Sequence, residues 1–186
     1  MTTNKMNPNR TKRISKFLSL VLRHDPAKIG LKLDDSGWTE INDLLEKLPR
    51  NLGVNREILD HVVETNNKKR FAYSEDGQRI RASQGHSIKV ELGYEPVEPP
   101  KFLYHGTVPR FLEAIQENGL KAMSRHDVHL SKDLETAVNV GNRRGNAIIL
   151  TVKSGEMHRQ GHQFFVSENG VWLTGAVPPE FIEIPA

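Results

Sequence analysis

The sequence predicts an α+β protein built as two lobes, and three observations carry that prediction. The 186 residues include 37% hydrophobic and 26% charged side chains, a balance typical of a globular chain with a buried core. Apolar residues recur at helical spacing in the first half, whereas short runs typical of strands dominate the second half. Between the halves, the proline-rich residues 93–100 can form neither a helix nor a central strand, so we predict a linker that separates lobes at 1–92 and 101–186.

The composition also excludes several classes of protein. The chain has no cysteine, so disulfides, thiolate zinc sites, iron–sulfur clusters and a cysteine nucleophile are all ruled out. No apolar run approaches the length of about 18 residues that a transmembrane helix requires. The basic N-terminal residues are not followed by the apolar segment of a secretory signal, and we expect a cytoplasmic protein.

Three helices are predicted in the first lobe. Apolar residues at helical spacing between Ile14 and Leu22 predict the first, which should end before Pro26 because the residue preceding a proline avoids the helical region. The second helix is expected to begin at Thr39. The third is expected to begin at Asn55, whose side chain can accept a capping hydrogen bond.

A β-hairpin is predicted to follow these helices. Residues 70–73 and 79–82 flank a turn that contains glycine. Arg79 and Arg81 then share one face of the hairpin, where they would either form a basic binding surface or be solvated. Three helices followed by a hairpin is the outline of a winged helix, a common nucleic-acid-binding unit.

The second lobe is predicted to be a compact α+β unit with a mainly antiparallel sheet. A helix around Leu112 should end at Gly119, and a second short helix is expected over 134–140. Strands are predicted at 101–104, 128–130, 147–152, 164–166, 171–174 and 181–184.

The net charge of +3 is unevenly distributed along the chain. Residues 1–90 hold 17 Lys and Arg against 11 Asp and Glu, whereas residues 101–186 hold nine of each. The basic excess of the first lobe therefore indicates either an anionic partner such as nucleic acid or a solvated basic surface.

Residues that could bind a phosphate occur at three places in the first lobe. Arg23 and His24 end the first helix, where they would either cap it or grip a phosphate through a guanidinium and an imidazole. Arg70 opens the hairpin. The hairpin is followed by a polar segment made of Gln84, Gly85, His86 and Ser87.

The second lobe has two polar segments of its own. Tyr104–Thr107 is predicted at the end of a strand that leads into a helix, where free helix amides would suit a ribose or an amide ligand. Residues 124–131 are denser in polar groups than a structural strand requires. A zinc site of His105, His126 and His129 can be imagined, but no HExxH motif accompanies them and we expect no metal.

Together these motifs resemble one family, the NAD-dependent RNA 2′-phosphotransferases, which are known for tRNA splicing. Six motifs occur in the family's order: LRHDP at 22–26, KRF at 69–71, IRASQGHS at 80–87, YHGT at 104–107, SRHDVHLS at 124–131 and ENGVWLT at 168–174. Each is a modest signal alone, whereas six in order are highly specific. The resemblance implies a winged-helix RNA-binding lobe at 1–92 and an ADP-ribosyltransferase-like NAD-binding lobe at 101–186.

The resemblance also implies site residues. The family's catalytic residues fall on Arg23, His24, Arg70 and Arg125. Its cofactor-binding positions fall on His105, Gly106, Thr107, His129, Leu130 and Ser131. A supporting pocket for the RNA phosphate falls on Gln84, His86 and Ser87. We assign no role to His126 or Asp127, and we interpret residues 141–145 as a simple turn.

The reaction implied by the resemblance has two steps, consumes NAD and needs no metal. An RNA 2′-phosphate displaces nicotinamide from NAD, and the ribose 2″-hydroxyl then attacks the phosphorus, which gives 2′-hydroxyl RNA and ADP-ribose 1″,2″-cyclic phosphate. The last motif has no clean equivalent of the glutamate that many ADP-ribosyltransferases use to activate a neutral acceptor. The expected partner is RNA that carries a 2′-phosphate, such as tRNA. We expect a monomer with no membrane association.

Two alternatives remain open at the level of sequence. One is a winged-helix regulator that binds nucleic acid and only senses NAD or ADP-ribose. The other is a related enzyme that stops after the first step and leaves an ADP-ribosylated phosphate. The complete set of Arg23, His24, Arg70 and Arg125 argues against both.

Overall fold

A computed structural model describes residues 7–185, which divide between Gly93 and Tyr94 into two compact units. Every strand pairing in this part of the chain is antiparallel, and helices and strands are mixed in both units. The predicted α+β class is therefore confirmed. Across residues 7–185, the helices are too short or too polar to cross a membrane.

The described part of the first unit contains α1 Pro8–Arg23, β1 Thr39–Glu40, α2 Ile41–Lys47, α3 Arg56–Glu64, β2 Phe71–Tyr73 and β3 Arg79–Ala82. The three α-helices pack against a small sheet with strand order β1-β3-β2. Asn55 accepts the predicted capping hydrogen bond at the start of α3, and Asn7 accepts a similar one at the start of α1. The core of this unit joins apolar side chains from the three helices and the sheet, including Ile14, Leu18, Leu44, Leu59 and Ile80.

One prediction for this unit is wrong. Thr39 does not begin the second helix but lies in the short strand β1, where it is buried and pairs with Ile80 of β3. The helix α2 begins only at Ile41. Pairing with a distant strand outweighs the local helical pattern here, because β-branched Thr39 fits a buried sheet position.

The predicted hairpin is confirmed as β2 and β3, and its two arginines share a face as expected. The Arg79 and Arg81 guanidinium carbons lie 5.6 and 4.5 Å from the centre of the Trp38 ring. Arg81 is buried and donates to the Leu92 carbonyl at 3.3 Å, while Arg79 forms an ion pair with Asp34. The Arg81 side chain is thus withdrawn from solvent, whereas the Arg79 side chain contacts Trp38 and Asp34 but stays 42% exposed.

The described part of the second unit contains β4 Leu103–Thr107, α4 Leu112–Asn118, β5 Leu120–Lys121, β6 Val128–Leu130, α5 Leu134–Gly141, β7 Ile148–Val152, α6 Ser154–Arg159, β8 Phe165–Val166, β9 Trp172–Thr174, β10 Ala176–Val177 and β11 Ile182–Glu183. These strands form three small sheets, ordered β11-β7-β4, β6-β9-β8 and β10-β5. The first two sheets are joined by a backbone bridge between Tyr104 and Ser131. A separate apolar core includes Leu103, Leu130, Leu150, Met157 and Phe164.

The helices predicted for this unit are confirmed as α4, which ends at Gly119, and α5. The sequence missed α6 and the two-residue strands β5 and β10. Residues 94–100 of the proline-rich segment belong to the second unit, where Val97 donates its amide to the Phe164 carbonyl and Pro100 accepts from the Ser154 hydroxyl at 2.7 Å.

Candidate active site

The end of α1 meets two other segments of the first unit. The Arg23 guanidinium donates to the Arg70 carbonyl at 3.3 Å, which brings KRF to LRHDP. The Arg23 carbonyl accepts from the Ser87 amide at 2.9 Å, and His24 Nδ1 lies 2.9 Å from Ser87 Oγ. Three motifs that are separate in the sequence therefore converge, and they place Arg23, His24, Arg70 and Ser87 at one site.

The backbone before Arg70 takes an unusual conformation. Lys69 has a φ of 40°, which a residue with a side chain adopts only at a cost. Its amide donates to the Asn66 carbonyl at 2.7 Å, and the Arg70 guanidinium reaches Asn66 Oδ1 at 3.5 Å. Asn66 also donates to Ser15 Oγ of α1 at 3.3 Å. This turn fixes the direction in which the Arg70 side chain extends from the backbone.

Ser83, which is buried, holds the same turn from the other side. Its hydroxyl donates to the Lys69 carbonyl at 2.9 Å and its amide donates to the Arg70 carbonyl at 2.9 Å. Since the Arg70 carbonyl also accepts from Arg23, Ser83 links the positions of both arginines.

Removing the Ser83 hydroxyl should loosen this turn. We expect Ser83→Ala to lower about tenfold the rate of the reaction that the family resemblance implies, because misplacement of a reacting group's partner by a fraction of an ångström is costly. In the Arg70→Ala background the same substitution should add little, since coupled residues act non-additively. Ser19→Ala is the control, as Ser19 donates only to the Ser15 carbonyl within α1. Equal additional losses in both backgrounds would contradict the positioning role.

The remaining residues of the predicted phosphate pocket differ in accessibility. Ser87 is exposed beside His24, whereas Gln84 is half-buried. His86 is 2% exposed, and its ring packs beside the turn at Gly37. His86 is therefore placed to support the 84–87 segment from within the unit rather than to contact a ligand directly.

The second unit links three predicted site residues by hydrogen bonds. Arg125 lies in the loop between β5 and β6, and its Nη1 is 3.2 Å from Nδ1 of His129 on β6. A guanidinium can only donate, so His129 Nδ1 accepts and its proton resides on Nε2. His105 Nδ1 lies 3.0 Å from the His129 carbonyl and must donate to it, which leaves His105 Nε2 as an acceptor in the neutral ring.

The positive charges of Arg143 and Arg144 act on Arg125, and that of Arg144 acts on His105. Partial burial, then the charges of Arg144 and Arg143, hold the pKa of Arg125 below its ordinary value, although a guanidinium stays protonated at neutral pH. Burial lowers the pKa of His105, and the Arg144 charge adds to the effect against the opposing hydrogen bond to His129. Three arginines and a neutral imidazole thus make a site suited to an anion that also carries hydroxyl groups.

The lowered pKa of His105 predicts a pH effect on stability. The unfolded chain binds a proton at His105 below about pH 6.5 while the folded protein resists it, so stability should fall as the pH drops below that value. We expect His105→Gln to lose less stability than the original protein between pH 7.5 and 5. Urea unfolding of both proteins across this range measures the difference. Parallel pH profiles would show that His105 does not carry the effect.

The expected location of Tyr104–Thr107 at the end of a strand that leads into a helix is confirmed. The segment forms the last four residues of β4, each paired with β7, and the 3-10 turn Pro109–Phe111 and then α4 follow it. The motif itself lies in the strand, so free helix amides belong to the residues that follow it. Gly106 lets α5 approach β4, because a Cβ on Gly106 would lie 2.0 Å from the Ala137 carbonyl oxygen.

Other predicted cofactor-binding residues are placed for backbone contacts or for packing. The Leu130 side chain is 1% exposed and belongs to the core, and Thr107 is 7% exposed. The Ser131 amide donates a hydrogen bond to the Tyr104 carbonyl, and the Ser131 carbonyl accepts one from the Tyr104 amide. In this unit the structure therefore joins Arg125 to the His129 side chain and the His105 side chain to the His129 backbone.

Sequence reasoning missed Asn66 and Ser83 as positioning residues. Their hydrogen bonds depend on the left-handed backbone conformation of Lys69, which no local sequence pattern predicts. Arg143 and Arg144 were interpreted as part of a simple turn. These residues do form a turn after α5, but their positive charges also lower the pKa of Arg125. Two adjacent arginines in the sequence were the one local indication of this role.

Comparison with known proteins matches residues 9–176 to the family described as RNA 2'-phosphotransferase, Tpt1 / KptA family. A probable RNA 2'-phosphotransferase of Flavobacterium johnsoniae is 62% identical over 179 residues, covering 96% of this chain and 98% of the relative. Relatives of the same description from Streptomyces griseus and Streptomyces coelicolor are 51% and 53% identical, covering 95% and 97% of this chain and 98% and 99% of their own lengths.

Proposed function

This chain belongs to the RNA 2′-phosphotransferase family, and from that membership we propose that it removes an RNA 2′-phosphate by transferring it to NAD in two steps. The observation that carries the proposal is the span of the family match. Residues 9–176 include all four proposed catalytic residues, Arg23, His24, Arg70 and Arg125. The proposal extends to the fold: a winged-helix unit that binds RNA and an ADP-ribosyltransferase-like unit that binds NAD.

Element order supports the winged-helix proposal. The first unit runs helix, strand, helix, helix and then a two-stranded hairpin whose β3 strand pairs with β1. In this arrangement the hairpin is the wing, and α1 supplies Arg23 and His24 at its C-terminal end. The basic excess of residues 1–90 suits a polyanionic ligand.

In the first step the RNA 2′-phosphate attacks the carbon that joins the nicotinamide ring to its ribose. A bond forms between a phosphate oxygen and that carbon, and nicotinamide leaves with the electron pair of the broken bond. The phosphate is already an anion, so the step requires orientation rather than a general base. Arg23 and Arg70 provide that orientation, since a guanidinium binds phosphate oxygens through two parallel hydrogen bonds.

The chemistry of the second unit fits NAD. A neutral His105 offers Nε2 to a ribose hydroxyl, and the guanidinium groups of Arg143 and Arg144 suit the negative pyrophosphate. The half-buried His129 is held in one tautomer by Arg125, so its Nε2–H is directed as a donor.

In the second step the ribose 2″-hydroxyl attacks the phosphorus. A bond forms between the 2″-oxygen and phosphorus, and the hydroxyl loses its proton. The bond from phosphorus to the RNA 2′-oxygen breaks, that oxygen takes up a proton in balance, and ADP-ribose 1″,2″-cyclic phosphate leaves. Negative charge accumulates on the phosphate oxygens, where Arg23, Arg70 and Arg125 stabilise it. His24, oriented through Ser87, is the proposed donor to a phosphate oxygen.

The decisive experiment supplies the protein with NAD and an oligonucleotide that carries one internal RNA 2′-phosphate, without added metal. The expected result is loss of the phosphate together with formation of ADP-ribose cyclic phosphate. Accumulation of ADP-ribosylated RNA would remove the second step from the proposal. No consumption of NAD would overturn the enzyme and leave a nucleic-acid-binding regulator as the better account.

A further inference from the structure

A groove on the first unit lies outside the site built above. It has a volume of about 440 Å³ and lies between α1 and the short 3-10 turn Arg50–Leu52. Its lining combines two cations, Arg13 and Lys16, with the apolar side chains of Phe17, Leu20 and Pro49. A basic rim over an apolar and aromatic floor differs from a purely solvated charged surface.

The charges of the groove are not neutralised locally. Helix α1 carries no acidic residue, and the carboxylates described between residues 7 and 185 form no ion pair with Arg13 or Lys16. Both side chains are exposed. The wall opposite α1 is fixed, because Arg10 donates to the carbonyls of Leu52 and Gly53 at 3.2 and 2.8 Å.

The groove lies on the same helix as the phosphate site. Arg13, Lys16 and Leu20 follow one another at spacings of three and four residues, so they share a face of α1. His24 comes four residues after Leu20 and continues that face to the end of the helix. At about 1.5 Å per residue, Lys16 is roughly 12 Å from His24 along the axis, a length that a few nucleotides can span.

We propose that this groove binds nucleotides that flank the phosphorylated nucleotide of single-stranded RNA. Arg13 and Lys16 contact backbone phosphates, and the Phe17 ring offers a surface to a base, the combination by which proteins bind single strands without sequence preference. The identity of this ligand rests on the proposed function. The groove would make a longer RNA a better substrate than a short one.

The test compares Arg13→Gln/Lys16→Gln with the original protein on two kinds of substrate, three RNAs in all. One is a dinucleotide with a 2′-phosphate, and the other is a pair of ten-nucleotide RNAs extended to the 5′ or the 3′ side of the same phosphate. We expect KM to rise about tenfold for one of the two extended RNAs, with kcat for that RNA changing less than twofold. For the dinucleotide, both KM and kcat should change less than twofold. The dependence of log KM on log salt should become shallower by about 1.4, or 0.7 per lost phosphate contact.

The matched control is Lys121→Gln/Arg159→Gln, which removes the same two charges from exposed positions of the second unit. Unchanged KM for both extended RNAs, or an equal change for the dinucleotide or in the control, would overturn the groove. A change in oligomeric mass without a change in KM would also overturn the proposal and would assign the groove to contact between copies of the protein.

If the original protein turns over no substrate, the proposed function has failed. Fluorescence anisotropy with an unphosphorylated ten-nucleotide RNA then tests the groove alone. Unaltered RNA binding by the Arg13→Gln/Lys16→Gln variant would overturn the groove proposal.

Discussion

Replacing Arg23, Arg70 or Arg125 with alanine is expected to lower kcat at least 100-fold while the protein stays folded. Each guanidinium is proposed to stabilise charge on the transferred phosphate, and a donor of this kind is commonly worth about 3 to 4 kcal/mol in a transition state. None of the three belongs to the apolar cores, so their loss should leave the unfolding transition nearly unchanged. Rates of NAD consumption and of 2′-phosphate removal are the measurements.

Lysine substitutions sharpen this prediction. Arg70→Lys keeps the positive charge but loses the planar pair of donors, so a partial loss between that of the original protein and Arg70→Ala is expected. Arg159→Ala, an exposed arginine at the end of α6, is the control and should retain full activity. Near-normal turnover by any one of the three alanine variants would remove that arginine from the proposed mechanism.

The sequence predicted the larger elements because their signals are local. The apolar face of α1 and the Asn55 cap can each be found within a few residues of the element they define. The strands β1, β5 and β10 are two residues long and exist through pairing with distant partners. No periodicity can develop over two residues, and at Thr39 the local pattern favoured the wrong element.

The site was predictable in its residues but not in its contacts. The resemblance placed Arg23, Arg70 and Ser87 in one phosphate site, and the structure brings them together. The hydrogen bonds that link Asn66 and Ser83 to the Lys69–Arg70 turn could not be predicted, because they follow from tertiary packing around the left-handed backbone of Lys69. The influence of Arg144 on His105 depends on how closely α5 approaches β4, which in turn depends on Gly106.

That close approach makes Gly106 a position where a single methyl group should strongly lower stability. An alanine Cβ at 106 would lie 2.0 Å from the Ala137 carbonyl oxygen and 2.9 Å from the Gly141 nitrogen. Both are backbone atoms, so no side chain can rotate to relieve the clash, and either β4 or α5 must shift. Overpacking of this kind should cost about 3 kcal/mol, which lowers the unfolding midpoint of a unit this size by roughly 10 °C or more.

Tryptophan fluorescence can follow the affected unit alone. The protein has two tryptophans, Trp38 in the first unit and Trp172 in the second, so a Trp38→Phe background reports only the second. Gly175→Ala in that background is the matched control, because a Cβ there meets nothing within 4 Å. We expect a large fall in midpoint for Gly106→Ala and almost none for Gly175→Ala. A midpoint preserved in Gly106→Ala would mean that α5 can move away from β4 at little cost. This packing could then not hold the charge of Arg144 near His105.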